Sequence, residues 1–104
     1  MAKPTKTWKA FERIVSRFFQ TERNALSRIN SKITSSDTLS EVLYIECKYR
    51  ANSSLHTLYE DTRKKAEKEN KLPIVCTKTK GSSGFLITIH SDHFDPTLLL
   101  NKPS

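Results

Sequence analysis

The sequence predicts a single α/β domain in which helices flank a mixed central sheet. Three observations lead to this prediction: early apolar residues recur at helical spacing, β-forming residues fill the run from Leu43 to Tyr49, and a second helical pattern leads into the short apolar run from Pro73 to Thr77. Two strands joined through a helix need a crossover connection, so we expect them to be parallel with a right-handed crossover. A chain of 104 residues has room for one domain, 1–104.

The first predicted helix begins at Thr7, whose hydroxyl suits the N-cap position. Its apolar residues form one broad stripe: Trp8, Phe11, Ile14, Val15, Phe18 and Phe19. Glu12 lies beside this stripe, where a carboxylate is ordinarily solvated. Residues 1–6 read as a loose basic arm. Residues 20–36 are too polar to bury much surface, so they predict a long loop with a short strand near 29–33.

The predicted strand from Leu43 to Tyr49 carries charges of both signs on one face. Because side chains alternate between the faces of a strand, Glu46 and Lys48 lie on the same side. The opposite face then holds Ile45, Cys47 and Tyr49. Asp37 lies upstream, in a short strand that we expect over residues 37–39.

A second helix is predicted from a cap at Ser53 or Ser54 to about Asn70. Mixed charges near its end suggest a solvated outer face: Arg63, Lys64, Lys65, Glu67, Lys68 and Glu69. After the strand over residues 73–77, a turn with Gly81 and Gly84 at its tip leads to a last strand over residues 85–90. The tail, residues 91–104, packs either on the core or across a partner chain.

The charge balance points to a polyanionic partner. The net charge is +7 and the isoelectric point is near 9.6, which favours nucleic acid over an inert basic surface. No apolar stretch approaches the roughly 20 residues of a membrane helix, and no apolar signal core follows the N-terminus. We therefore expect no membrane partner and a cytoplasmic protein, in the host cytoplasm if a virus encodes it. Cys47 and Cys76 have no metal-type spacing and read as reduced core residues of neighbouring strands.

The acids and the lysine suit phosphodiester hydrolysis. Mg²⁺ prefers oxygen ligands and is usually held by one or two carboxylates with waters and substrate phosphate, and Asp37 and Glu46 supply such a pair. Lys48 can orient or deprotonate the attacking water, or neutralise charge in the transition state. The alternative is an ion pair of Lys48 with either acid on a solvated sheet face, since charge clusters mark function only statistically.

The chain resembles the PD-(D/E)xK nuclease superfamily and, within it, the small Holliday junction resolvases of archaea and their phage-encoded relatives. The segments that carry the resemblance, within residues 7–90, are Trp8–Arg13, Asp37, Tyr44–Arg50, Lys71–Val75 and Gly84–Ile87. The superfamily name calls for proline before the aspartate, where this chain has Ser36.

The resemblance implies a restriction-endonuclease-like core and a Mg²⁺-dependent endonuclease, with Mn²⁺ as a substitute. Glu12, Asp37 and Glu46 are then the metal-binding acids and Lys48 is the catalytic lysine. The family also implies a homodimer that makes paired nicks across a four-way DNA junction, which it recognises by shape. A serine of the early loop, Ser35 or Ser36, is expected near the scissile phosphate. Basic candidates for DNA backbone contacts are Arg13, Arg28, Lys32, Arg50, Lys78 and Lys80.

Two alternatives stay open at this point. One is a nuclease of the same fold that acts on flaps, mismatches or a specific duplex site, because fold does not determine substrate. The other is a DNA-binding protein without catalytic activity.

Overall fold

The computed structural model describes residues 4–24, 34–49 and 54–100. It is a small α/β structure with the following elements in order: helix α1 (Pro4–Phe18), strand β1 (Leu43–Tyr49), helix α2 (Leu55–Lys68), strands β2 (Leu72–Lys78) and β3 (Leu86–Thr88), a short 3₁₀ helix (Ser91–His93) and helix α3 (Thr97–Leu100). The predicted α/β class, with a mixed sheet and helices, is confirmed.

The three strands lie in the order β1–β2–β3. β1 and β2 are parallel, with Ile45 opposite Ile74 and Cys47 opposite Cys76, and β2 and β3 are antiparallel. The predicted bounds of β1 and its parallel pairing are therefore confirmed. Both arise from local pattern, because a dense run of β-formers followed by a helix leaves little choice of pairing.

The two long helices cover different side-chain sets of the sheet. Phe11 and Val15 of α1 pack with Ile45, Ile74 and Cys76, which alternate along β1 and β2 and so share one face. The side chains at the intervening positions point to the other face, which α2 covers. α2 contributes the buried residues Tyr59, Thr62 and Ala66.

Some predicted boundaries are wrong. α1 begins at Pro4 and not at Thr7, because proline is well suited to the first helical turn. β3 ends at Thr88, since the backbone N–H of His90 is donated to the Tyr59 hydroxyl at 2.9 Å and not to a neighbouring strand. The predicted strand near 29–33 lies outside the described residues.

Helix α3, the last described element, is apolar but exposed. Leu98, Leu99 and Leu100 of α3 keep 73%, 67% and 76% of their surface accessible in this chain. Among the residues described, no helix is long and apolar enough to cross a membrane.

Candidate active site

The segment before β1 folds back along the outer edge of that strand. Alternate backbone groups of β1 point away from β2 and need other partners. The Ser36 hydroxyl accepts the Ile45 N–H at 2.9 Å and donates to the Ile45 carbonyl at 3.1 Å, and Ser36 is fully buried. The backbone N–H of Ser36 is donated to the Thr34 hydroxyl at 3.1 Å. A proline at this position has neither a hydroxyl nor an N–H, so it would make none of these bonds.

This pairing brings the Asp37 carboxylate to β1. Its Oδ2 accepts the backbone N–H of Cys47 at 2.8 Å, and its own N–H is donated to the Ile45 carbonyl at 2.9 Å. Cys47 is the residue between Glu46 and Lys48, so the Asp37 carboxylate lies beside the two charged residues of the strand. The short strand expected over 37–39 is wrong, because the segment has a single antiparallel bridge, between Thr38 and Arg23.

Glu12 reaches the same region from α1. It is only 7% exposed, so the interpretation of a solvated helix carboxylate is wrong. Its Oε1 accepts the Nε–H of Arg23 at 2.6 Å, in an ion pair whose side chains are both mostly buried. Arg23 lies in the segment predicted as a long polar loop. No local pattern in the sequence indicates that this segment contacts α1.

An open cleft of about 530 Å³ collects these side chains. Its lining includes all four predicted catalytic residues together with Trp8, Ser35 and Lys65: Trp8, Phe11, Glu12, Ser35, Asp37, Glu46, Cys47, Lys48, Tyr49 and Lys65. Lys65 is exposed, as predicted for the outer face of α2, and it also borders the cleft.

Burial is the main cost to the three carboxylates of the cleft, which are faced by Arg23, Lys48 and Lys65. Burial, reinforced by the neighbouring Asp37 carboxylate, raises the pKa of Glu46 to about 7, while Lys48 and Lys65 oppose the shift. Burial also raises the pKa of Asp37, although the Cys47 N–H and the charge of Lys48 act in the other direction. The pKa of Glu12 is likewise raised by burial, in spite of its bond from Arg23. A cation between these carboxylates would relieve this cost.

The donor types fit a hard divalent cation. Asp37 and Glu46 are carboxylates that line one cleft, and Mg²⁺ is commonly held by one or two carboxylates with water and phosphate oxygens. Glu12 is already paired with Arg23, so its carboxylate is less available to a cation than those of Asp37 and Glu46. Within the described ranges, no group of three or more acidic, histidine or cysteine side chains is arranged to hold a metal by itself.

The three predicted DNA-contact residues that the structure describes, Arg13, Lys78 and Lys80, do not line the cleft. Arg13 and Lys80 are exposed on α1 and on the turn after β2. The Lys78 ammonium donates to the carbonyls of Ser82 and Gly84 and so holds the β2–β3 turn together. The predicted contacts at Arg28, Lys32 and Arg50 lie outside the described residues.

The two serines and the two cysteines separate by burial. Ser35 lines the cleft, whereas Ser36 is buried under β1. Cys47 and Cys76 are both free thiols, and burial raises the pKa of Cys76 to about 12 and also raises that of Cys47. The predicted core position is confirmed for Cys76, whereas Cys47, opposite it on β1, is only partly buried and also lines the cleft. That both thiols are reduced stays a prediction.

Comparisons with protein-family models, with curated proteins and with solved structures each returned no match.

Proposed function

We propose that this chain is a metal-dependent DNA endonuclease with a PD-(D/E)xK core. Its proposed substrate is a four-way junction, which a homodimer resolves by paired symmetric nicks. The observation that carries the proposal is the hydrogen bond from Cys47 N–H to the Asp37 carboxylate at 2.8 Å. That bond brings a second acid beside Glu46 and Lys48, and acid, acid and lysine together are the set that phosphodiester hydrolysis needs.

The five charged residues that line the cleft each have a role in this proposal. Asp37 and Glu46 would hold Mg²⁺ or Mn²⁺, with the buried Glu12 nearby; the ion supplies Lewis-acid charge neutralisation and a water of lowered pKa. Lys48 is exposed at the cleft, so its ammonium is free to meet a phosphate or to orient the attacking water. Lys65 adds a second positive charge on the α2 side.

The same electrostatics argue against a protein that only binds DNA. Carboxylates with raised pKa values cost folding stability when ionised, and without a cation they repel phosphate. A binding protein gains nothing from this arrangement. A purely structural ion pair also explains this arrangement of acids poorly. The charges of Lys48 and Lys65 act to lower the pKa of Glu46, yet that pKa stays raised.

The finer fold assignment and the dimer belong to this proposal. What supports a restriction-endonuclease-like core is one acid on α1, an acid and a lysine on β1, and the β1–α2–β2 crossover, while Asp37 lies before β1 and in no strand. One chain has one such cleft. A two-fold dimer would have two equivalent clefts, which suits paired cuts in a symmetric junction.

The proposal is tested by cleavage of a four-way junction, a duplex of matched sequence and a flap, each labelled on one strand at a time. We expect nicks at symmetric positions in opposed junction strands with Mg²⁺ or Mn²⁺, and none with a chelator. Lys48→Met should lower the cleavage rate by at least about a hundredfold, as expected for loss of an acid–base or charge-stabilising group.

Lys64→Met is the matched control, because Lys64 is an exposed lysine of α2 outside the cleft lining. It should cut like the parent protein, and loss of cutting in Lys48→Met alone, from the same purification, excludes a contaminating nuclease. Equal cutting of all three substrates would favour a nuclease of other specificity. Binding without metal-dependent cutting would favour the protein that only binds DNA.

A further inference from the structure

Trp8 is the most exposed of the three aromatic residues that line the cleft; the others are Phe11 and Tyr49. It precedes Glu12 by four residues on α1, so the two side chains lie on neighbouring turns of one helix face. Both line the cleft that holds Asp37, Glu46 and Lys48. Trp8 keeps 39% of its surface exposed, whereas Phe11 and Val15 of the same helix are buried in the core.

The indole ring is held by groups that are themselves anchored. The Arg23 guanidinium carbon lies 5.7 Å from the ring centroid, and that guanidinium is bound to Glu12 at 2.6 Å. The Lys9 ammonium lies 5.8 Å from the same centroid. Cations at this distance are attracted to an aromatic face. The ring is therefore oriented at the cleft by a chain of contacts that begins at a proposed active-site acid.

An exposed, oriented indole surrounded by positive charge has the features of a stacking platform for nucleic acid. Base–aromatic stacking tolerates any sequence, because every base has a flat face, and nearby cations contact the backbone. Bases offer a free face only where the stack is interrupted, as at a branch point, an end or a single strand. Such a ring therefore discriminates by structure and not by sequence.

We infer that Trp8 stacks on an unstacked base next to the phosphate held in the cleft, and that this contact contributes to selection of branched or single-stranded DNA over continuous duplex. The inference rests on the proposed function for the identity of the ligand as DNA. It assigns Trp8 to substrate selection, while the chemistry stays with the acids and Lys48.

The test uses the fact that Trp8 is the only tryptophan in the chain. Its intrinsic fluorescence is followed in a chelator while the protein is titrated with a four-way junction, an oligothymidylate strand, or a duplex closed at both ends by linkers that contain no bases. Binding is measured in parallel by anisotropy of labelled DNA. We expect quenching that saturates with binding for the junction and the single strand, and little quenching when the closed duplex is bound.

Variants separate stacking from a passive surface role. Trp8→Leu should lower junction affinity about tenfold, or about 1.4 kcal/mol, and should change closed-duplex affinity by less than about twofold. Trp8→Phe, which keeps a flat ring, should retain most of the affinity. An equal loss for both DNAs in Trp8→Leu, or junction binding with unchanged Trp8 emission, would overturn the inference.

Failure of this inference is distinguishable from failure of the proposed function. A protein that cuts junctions while Trp8 emission stays unchanged overturns the stacking role alone. Junction-selective quenching without any cleavage in Mg²⁺ or Mn²⁺ overturns the nuclease and supports the stacking role.

Discussion

The acids of the cleft and Glu69 at the end of α2 are all largely removed from solvent, yet their surroundings act on their charge in opposite directions. Glu69 accepts the hydroxyl of Thr34 at 2.5 Å and both the N–H and the hydroxyl of Ser35, and it pairs with Lys71 at 3.4 Å. Although burial acts to raise it, these bonds lower the pKa of Glu69. In the cleft, burial and the nearby acids raise the pKa of Glu46 to about 7.

The difference distinguishes a structural carboxylate from one that is available for chemistry. Glu69 has its oxygens satisfied by donors from the 34–35 segment, so it fastens the chain just before Asp37. The acids of the cleft have fewer donors than their charge needs, which leaves capacity for a cation. The following predictions test this contrast, beginning with the largest effect.

Asp37→Asn and Glu46→Gln should each lower metal-dependent junction cleavage by at least about a hundredfold, because a metal ligand contributes several kcal/mol of transition-state stabilisation. Binding to junctions in a chelator should be unchanged or tighter, since one repelling charge is gone. Asparagine keeps an oxygen for the Cys47 N–H, so the fold should be retained. Gel assays of cleavage and binding measure both effects.

The matched control for these variants is Glu41→Gln, which removes an exposed acid shortly before β1. Its cleavage should equal that of the parent protein. Retained cleavage in Asp37→Asn would show that Asp37 is not a metal ligand.

Glu69→Ala should lower the free energy of unfolding by about 2–3 kcal/mol, because several partly buried donors lose a charged acceptor. Glu67→Ala, an exposed acid on the same helix, should have little effect. Urea unfolding measures both. Because the folded-state pKa of Glu69 lies below 4.5, its contribution is fully present above that pH and is lost as pH falls through the lowered pKa. Equal destabilisation by both variants would contradict the structural role.

Glu46→Gln should stabilise the metal-free protein by about 1–2 kcal/mol near pH 8, since Lys48 and solvent screen part of the cost of the buried charge. The folded-state pKa is about 7 against an ordinary value of 4.5, so the native state binds more protons between these values. The parent therefore loses stability as pH rises through this window, and the glutamine variant does not.

Urea midpoints of parent and Glu46→Gln near pH 5 and pH 8, taken in a chelator, test this point, because their difference cancels the titrating groups that do not interact with Glu46 and leaves Glu46 with the neighbouring Asp37. Added Mg²⁺ should stabilise the parent more than the variant at the higher pH. If the stability difference between parent and variant were the same at both pH values, the ionised Glu46 carboxylate would not destabilise the folded state, and the prediction would be wrong.

Local pattern predicted the part of the site that lies within one element. The alternation along β1 predicted that Glu46 and Lys48 share one face and that Cys47 points to the core. In the structure Glu46 and Lys48 line one cleft, and Cys47 packs against the core at the edge of that cleft. On α2 the same kind of pattern predicted a solvated face, which holds for the exposed Lys65 but is wrong for Glu69, three residues after the buried Ala66.

The sequence by itself determined the α/β class, the bounds of β1, its parallel partner and the face that carries acid and lysine, because these depend on side-chain period and on the length of one crossover. Only the tertiary structure decided that Glu12 is buried against Arg23, and that Ser36 pairs with β1 so that Asp37 reaches Cys47. It also decided that Glu69 closes on Thr34, which is 35 residues away. Contacts of this kind join segments separated by loops, and no short-range period encodes which of many polar residues will meet.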